Sequence, residues 1–292
     1  MNVWTTPERR ATWLGAATFV PLFVWWLGWF PGIMSSDSID QWTQATTFVF
    51  FDSHPITHTA YLWAVSLVWE SPGAVALVQV VATAALLAVV ARRLTQLGTP
   101  MWVSVGTVWV VSALPMVGAS TITIWKDIPF SLAMVWAFTE LLLAARDRHA
   151  FWTGWWGPIR LGTALGLMWA MRANGRLTVV VFVIAILIGL WQYRRTLLAL
   201  VGSVVAVGVV LPAALTGVLP VTSQPIEAAQ VFMPDVAAVV VHEPEALSSD
   251  DLALVAAVVP LDVLRTEYAC GDSAPLVFHP DYDNDVIRDE PW

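Results

Sequence analysis

The chain is short of charge, of lysine and of cysteine, and each shortage removes a class of function. Of 292 residues only 12 % are charged while 58 % are hydrophobic, a balance foreign to ordinary soluble domains. One cysteine, Cys270, leaves no partner for an intrachain disulfide and reads as a small, semi-buried residue. The single lysine, Lys126, and a formal net charge of −8 without any basic stripe argue against nucleic acid. No internal repeat, heptad run or low-complexity linker is present, which excludes solenoid and coiled-coil architectures.

What the chain has instead is long apolar segments, with a mean hydropathy of +0.68. A bilayer core of roughly 30 Å takes about 20 apolar residues per helix. The pattern predicts an all-α polytopic membrane protein with seven transmembrane helices at about 11–30, 72–91, 101–119, 129–145, 155–171, 177–193 and 197–219. With the N-terminus inside, Arg9, Arg10, Arg92, Arg93, Arg146, Arg148, Arg194 and Arg195 all fall on the cytoplasmic side, as short cytoplasmic loops prefer. Arg160 lies near the inner end of the fifth span, where it could snorkel.

Residues 161–193 could be misread as one long helix. That would bury Arg172 and Arg176 near mid-membrane, at about 2.5–3.5 kcal/mol each. Two spans meeting at an external turn are the better reading. The first span, preceded by two arginines, resembles a signal peptide, but it ends in WLGWFPG without a small-residue cleavage site, so an uncleaved anchor is expected. Trp25, Trp26 and Trp29 would form its outer aromatic belt.

The polar residues then gather on one side. A long first external loop, residues 31–59, carries Asp37, Asp40, Asp52, His54 and His58; its stretch 57–69 suits an interfacial helix. The second external loop brings Lys126 and Asp127, and the third brings Arg172, Asn174 and Arg176. Lys126 is one half of an ion pair with Asp127, an interfacial anchor, or a phosphate-binding cation to which Arg172 could add a bidentate contact. Asp37, after Ser35 and Ser36, suits a helix N-terminus. A carboxylate there can also serve as general base toward a sugar hydroxyl. Asp52, His54 and His58 do not make a specific metal signature, because Pro55 interrupts any helix between them. No metal ligand is assigned; no cofactor is certain, and a divalent metal stays possible. A local hydrogen-bonded turn of Asp52 with His54 is the plainer reading. Glu140, late in the fourth span, is given no role.

From Pro220 onward the composition changes, with 14 of the 22 acidic residues and only Arg265 and Arg288 as arginines. The chain is therefore divided into a transmembrane helical domain, 1–219, and an extracytoplasmic acidic tail segment, 220–292, too short for a large core. Ser248 and Asp251 stand at capping-box spacing before an apolar run that Pro260 ends. Asp281, Asp283 and Asp285 mimic the start of a calcium loop, but Val286 replaces the glycine that such a loop needs.

Pro31, Gly32, Asp37, Ser38 and Gln41, then Asp52, His54, Pro55 and Thr59, followed by Lys126, Asp127 and Phe130 and by Arg172, Asn174 and Gly175, resemble a bacterial family of GT-C-like integral membrane glycosyltransferases. The tail, with QPIEAAQV and VVPLDVL, is similar to that family's external segment. The resemblance implies sugar transfer from a polyprenyl-phosphate-linked donor to an envelope acceptor on the outer face of the cytoplasmic membrane. Asp37 would activate the acceptor hydroxyl, and Lys126 and Arg172 would hold the departing phosphate, with Asp127, Asn174 and Gln41 beside them. Asp40, Asp52 and His54 would support the first loop. Such proteins continue into further spans, whereas this sequence ends at Trp292. A truncated or inactive relative, or a non-catalytic subunit with a second polypeptide supplying the missing spans, is the alternative expectation.

Overall fold

The computed structural model describes residues 6–222, 226–270, 272–277, 279–283 and 286, and these are overwhelmingly helical. Gln224, Pro225, Asp285 and Arg288 lie outside the described residues, as do the side chains of 226–231. The chain divides into two compact units, Met1–Phe50 with His54–Pro220, and Phe51–Ser53 with Val221–Trp292.

The first unit opens with α1 (Pro7–Ala16) and α2 (Phe19–Gly28). Pro7 stands in the first turn of α1, where its missing N–H costs nothing. Thr18, at the join, donates its hydroxyl to the Gly15 carbonyl at 2.6 Å, so a polar side chain with no exposed surface is satisfied locally. Two shorter helices follow, α3 (Ser36–Thr47) and α4 (Ile56–Ser66). Next comes α5 (Pro72–Gln96), 25 residues long, whose N-terminus the Ser71 side chain caps through the Gly73 N–H at 3.1 Å.

The expected straight span at 101–119 is instead two helices, α6 (Met101–Ala113) and α7 (Pro115–Ile122), bent by 64°. Pro115 supplies the reason: it offers no N–H and drives Leu114 into extended backbone, ψ 129°. The unit continues through α8 (Asp127–Arg146), α9 (Arg148–Thr153), α10 (Trp156–Met171), α11 (Ala173–Gly189), α12 (Arg194–Val205) and α13 (Leu211–Val218). A π turn at Ala206–Val210 joins the last two. Pro212 cannot donate to the carbonyl four residues back, and the wider turn accommodates the loss.

Among the described residues four elements, Pro7–Gly28, Pro72–Gln96, Asp127–Arg146 and Trp191–Val218, are long and apolar enough to cross a membrane, and the bent pair would make a fifth. The other two expected spans correspond to α10 and α11, which are shorter at 16 and 17 residues. These two helices form a hairpin in which Arg172 alone stands outside helix. Arg148 Nη2 donates to the Gly189 carbonyl at 3.0 Å, which returns the end of α11 to the level where α9 begins. The largest core packs Leu161, Leu165, Met168, Val179, Leu197 and Leu200 between α10, α11 and α12. Gly162 permits close approach there, because a Cβ on it would stand 2.4 Å from the Leu200 carbonyl oxygen.

The second unit contains α14 (Ile226–His242), α15 (Ser249–Val258), α16 (Leu261–Glu267) and α17 (Ala274–Val277). Residues 51–53 belong to it: the Asp52 N–H donates to the Thr222 carbonyl at 3.2 Å. It builds a small core of its own from Ala237, Val240, Val259, Leu264 and Leu276. The capping box is present as expected: Ser248 Oγ accepts the Asp251 N–H at 3.1 Å, and Asp251 accepts the Ser248 N–H at 3.0 Å. Cys270 is exposed rather than semi-buried.

Candidate functional site

Backbone hydrogen bonds bring the first two polar loops together. The Ile33 N–H donates to the Ile122 carbonyl at 3.1 Å, and the Ile124 N–H donates to the Ile33 carbonyl at 2.9 Å, a short parallel bridge. Gly32 makes this approach possible: its φ is +116°, and a Cβ there would stand 2.9 Å from the Ile122 oxygen. From the other side Gln79 of α5 donates to the carbonyls of Thr121 and Thr123 at 2.9 and 2.8 Å. Ser38 then donates to the Ile124 carbonyl at 2.5 Å, and the Trp125 indole donates to Ser35 Oγ at 2.8 Å. Ser35 also caps α3, so Asp37 occupies the first turn, where the helix field favours a carboxylate.

This scaffold sets Lys126 beside Asp37. The Nζ of Lys126 lies 3.2 Å from Asp37 Oδ2 and 3.2 Å from His54 Nδ1. An ammonium only donates, so His54 accepts through Nδ1 and carries its proton on Nε2. That nitrogen faces Asp40 Oδ2 at 3.7 Å, and Gln44 donates to the same oxygen at 2.7 Å. Arg172 pairs with Asp127 at the start of α8, its guanidinium 5.9 Å from the centre of the Phe130 ring. A pocket of about 240 Å³ opens here, lined by Ser35, Asp37, Gln41, Trp125, Lys126 and Asp127.

Beneath the charged residues, Gln41, His58 and Thr59 of the first loop form a buried polar layer whose pairing the sequence did not predict. Gln41 Nε2 donates to Thr59 Oγ1 at 3.3 Å, while its Oε1 accepts from His58 Nδ1 at 3.1 Å. His58 has no exposed surface, and its Nε2 finds no hydrogen-bond partner among the described residues. Burial, reinforced by the positive charge of Lys126 and by His54, pushes the His58 pKa down to about 3. Burial likewise raises that of Tyr61.

Of the residues expected to share a site, Asp37, Asp40, His54 and Lys126 form one connected group, Asp127 and Arg172 a second, and Gln41 bridges to the buried layer. Asn174 is exposed in the first turn of α11, and its side chain makes no hydrogen bond among the described residues. Asp52 belongs to the second unit, and His54 lies against Lys126 and Asp40. Lys126 pairs with Asp37 rather than with its neighbour Asp127. No group of three or more His, Cys, Asp or Glu is arranged to hold a metal ion among the described residues.

At the other end of the same helices, Glu140 is 1 % exposed and accepts from Arg160 Nε and Nη2 at 3.0 and 2.9 Å. Arg93 stands 3.8 Å away. Arg160 therefore does not simply reach for the interface. A lone acid within an apolar helix, with an arginine on a neighbouring span, was the signal available for this pair.

Fold and site together define a helical protein with several elements able to cross a membrane and a charged pocket where its loops meet. The chain belongs to the family of unknown function DUF6020, which matches residues 42–276. That stretch contains His54, Lys126, Asp127 and Arg172 and begins just beyond Asp37 and Gln41. No curated protein and no solved structure matches the chain.

Proposed function

We propose that the protein is a GT-C-type glycosyltransferase that moves a sugar from a polyprenyl-phosphate-linked donor to an acceptor hydroxyl at the outer face of the cytoplasmic membrane. The observation that carries this reading is the Asp37 carboxylate and the Lys126 ammonium sharing one open pocket, with the Asp127–Arg172 pair beside it. A base and a phosphate-binding cation are the two groups such a transfer needs.

In the resting protein Lys126 neutralises Asp37. An incoming lipid phosphate competes for that ammonium and for the Arg172 fork, which frees the carboxylate. The acceptor oxygen then bonds to the anomeric carbon as the bond from that carbon to the phosphate oxygen breaks. The hydroxyl proton passes to Asp37, and the lipid phosphate leaves on Lys126 and Arg172. One base opposite the leaving group implies inversion.

The same reading has seven crossings, the N-terminus inside and the 220–292 segment outside. It puts the arginine-rich ends of α5, α8 and α10 in the cytoplasm, in accord with the positive-inside rule.

The test is transfer by purified protein in lipid, with a polyprenyl-phosphate sugar as donor. Asp37→Asn should abolish turnover and leave donor binding largely intact. Donor binding without turnover in the parent protein would instead identify a non-catalytic or inactive relative, or a subunit that needs a second polypeptide.

A further inference from the structure

The end of the helices opposite the candidate site carries a second, larger pocket of about 640 Å³. That it is the opposite end follows from three helices. The N-terminus of α8 supplies Asp127 to the first site, and its last residue, Arg146, lines the second pocket. Twenty residues at about 1.5 Å each separate those ends by about 30 Å. In α10 the order is reversed, with Arg160 at the second pocket and Arg172 just past the far end. In α5, Gln79 braces the first site, and Arg92 reaches the second pocket.

Four arginines, Arg9, Arg92, Arg146 and Arg160, line this pocket from four helices, against two carboxylates, Glu8 and Asp147. Asp147 is already engaged, since its side chain caps α9 through the Ala150 N–H at 3.0 Å. Arg160 uses Nε and Nη2 on Glu140, which holds the guanidinium in place and leaves the Nη1 donors outside that pair. Arg9, Arg92 and Arg146 form no ion pair among the described residues. Trp156 lines the pocket at 73 % exposure, next to Trp155 at 56 %. Exposed tryptophans on a membrane-crossing bundle mark the level of the lipid headgroups.

We propose that this pocket binds the phosphodiester headgroup of an anionic phospholipid. Guanidinium groups match phosphate oxygens in geometry, and the unpaired arginines provide the charge. The tryptophans set the depth at which a lipid phosphate, rather than a dissolved one, arrives. The inference is independent of the reaction at the opposite end.

The experiment is native mass spectrometry of the purified full chain in detergent, titrated with phosphatidylglycerol or phosphatidylcholine. Phosphatidylglycerol should bind preferentially. The Arg92→Gln/Arg146→Gln double variant should lose that preference, with affinity falling about fivefold per arginine. Both side chains are exposed, so the fold tolerates the change. Arg176→Gln, at the other end, should bind as the parent does. Equal binding of the two lipids, or an unaltered preference in the double variant, would overturn the proposal. Displacement of phosphatidylglycerol by millimolar inorganic phosphate would also overturn it, showing a small-anion site.

Discussion

The Lys126 ammonium lies 3.2 Å from the Asp37 carboxylate although 89 residues separate them in the chain. Each is the other's counter-ion, and both face one pocket. The pair joins the first polar loop to the second at the one place where the chain spends its only lysine.

Lys126→Met should therefore remove the cation to which the proposed reaction assigns the phosphate, and leave Asp37 without its counter-ion. Turnover should fall by about 10²-fold or more, the usual loss when a group stabilising developing charge is deleted. Transfer assays with labelled donor read this directly; a Lys126→Met protein as active as the parent would rule the lysine out of the reaction.

Acid should destabilise the protein through His58. Its folded pKa is about 3 and its unfolded value 6.5, so below pH 6.5 the unfolded chain binds the proton and the folded one does not. Stability is thus fully present above pH 6.5 and declines as pH falls toward 3, by about 2 kcal/mol at pH 5 from this group. Melting curves in detergent at pH 7.5 and 5 should separate, and His58→Gln should draw them together whatever its effect on the absolute midpoint.

Glu140→Gln should lower the melting temperature. It leaves Arg160 and Arg93 facing a buried amide, a change worth about 3 kcal/mol at most, since the Arg160 side chain is 37 % exposed and keeps some hydration. The donor binding proposed for the pocket of Asp37 and Lys126 should be unaffected in the fraction that remains folded.

Gly162→Ala should cost about 1–3 kcal/mol, because the new methyl meets the Leu200 backbone at 2.4 Å and α10 must part from α12. Gly106→Ala, where a Cβ meets nothing within 4 Å, is the matched control and should not destabilise. Differential scanning fluorimetry distinguishes the two.

Cys270 offers a direct orientation test, as the sole cysteine and an exposed one. A membrane-impermeant maleimide should label it in intact cells. Labelling only after the membrane is opened would reverse the proposed sidedness.

Much of this was legible before any coordinates. Apolar runs located the helices, and the break at Arg172 followed from the expense of burying guanidinium groups. Ser248 and Asp251 announced their cap by spacing alone. Pairing choices were not legible, because adjacency in sequence misleads at a helix start: Asp127 turns to Arg172 and leaves Lys126 to Asp37. Gln41, His58 and Thr59 were visible as first-loop residues, but their burial and mutual pairing were not, because nothing local distinguishes a buried histidine from a loop one. The 64° bend at Leu114 was written in Pro115, but its apolar neighbours made the run look continuous.

The bridge between Ile33 and Thr123 has a consequence for access. Main-chain hydrogen bonds tie together the two segments that carry Asp37 and Lys126, so the spacing of the pair does not rest on its own attraction alone. Arg172 is held beside them by side-chain contacts, with Asp127 and Phe130. Parting the contacts of Arg172 would break side-chain interactions only, whereas separating Asp37 from Lys126 would also break main-chain hydrogen bonds.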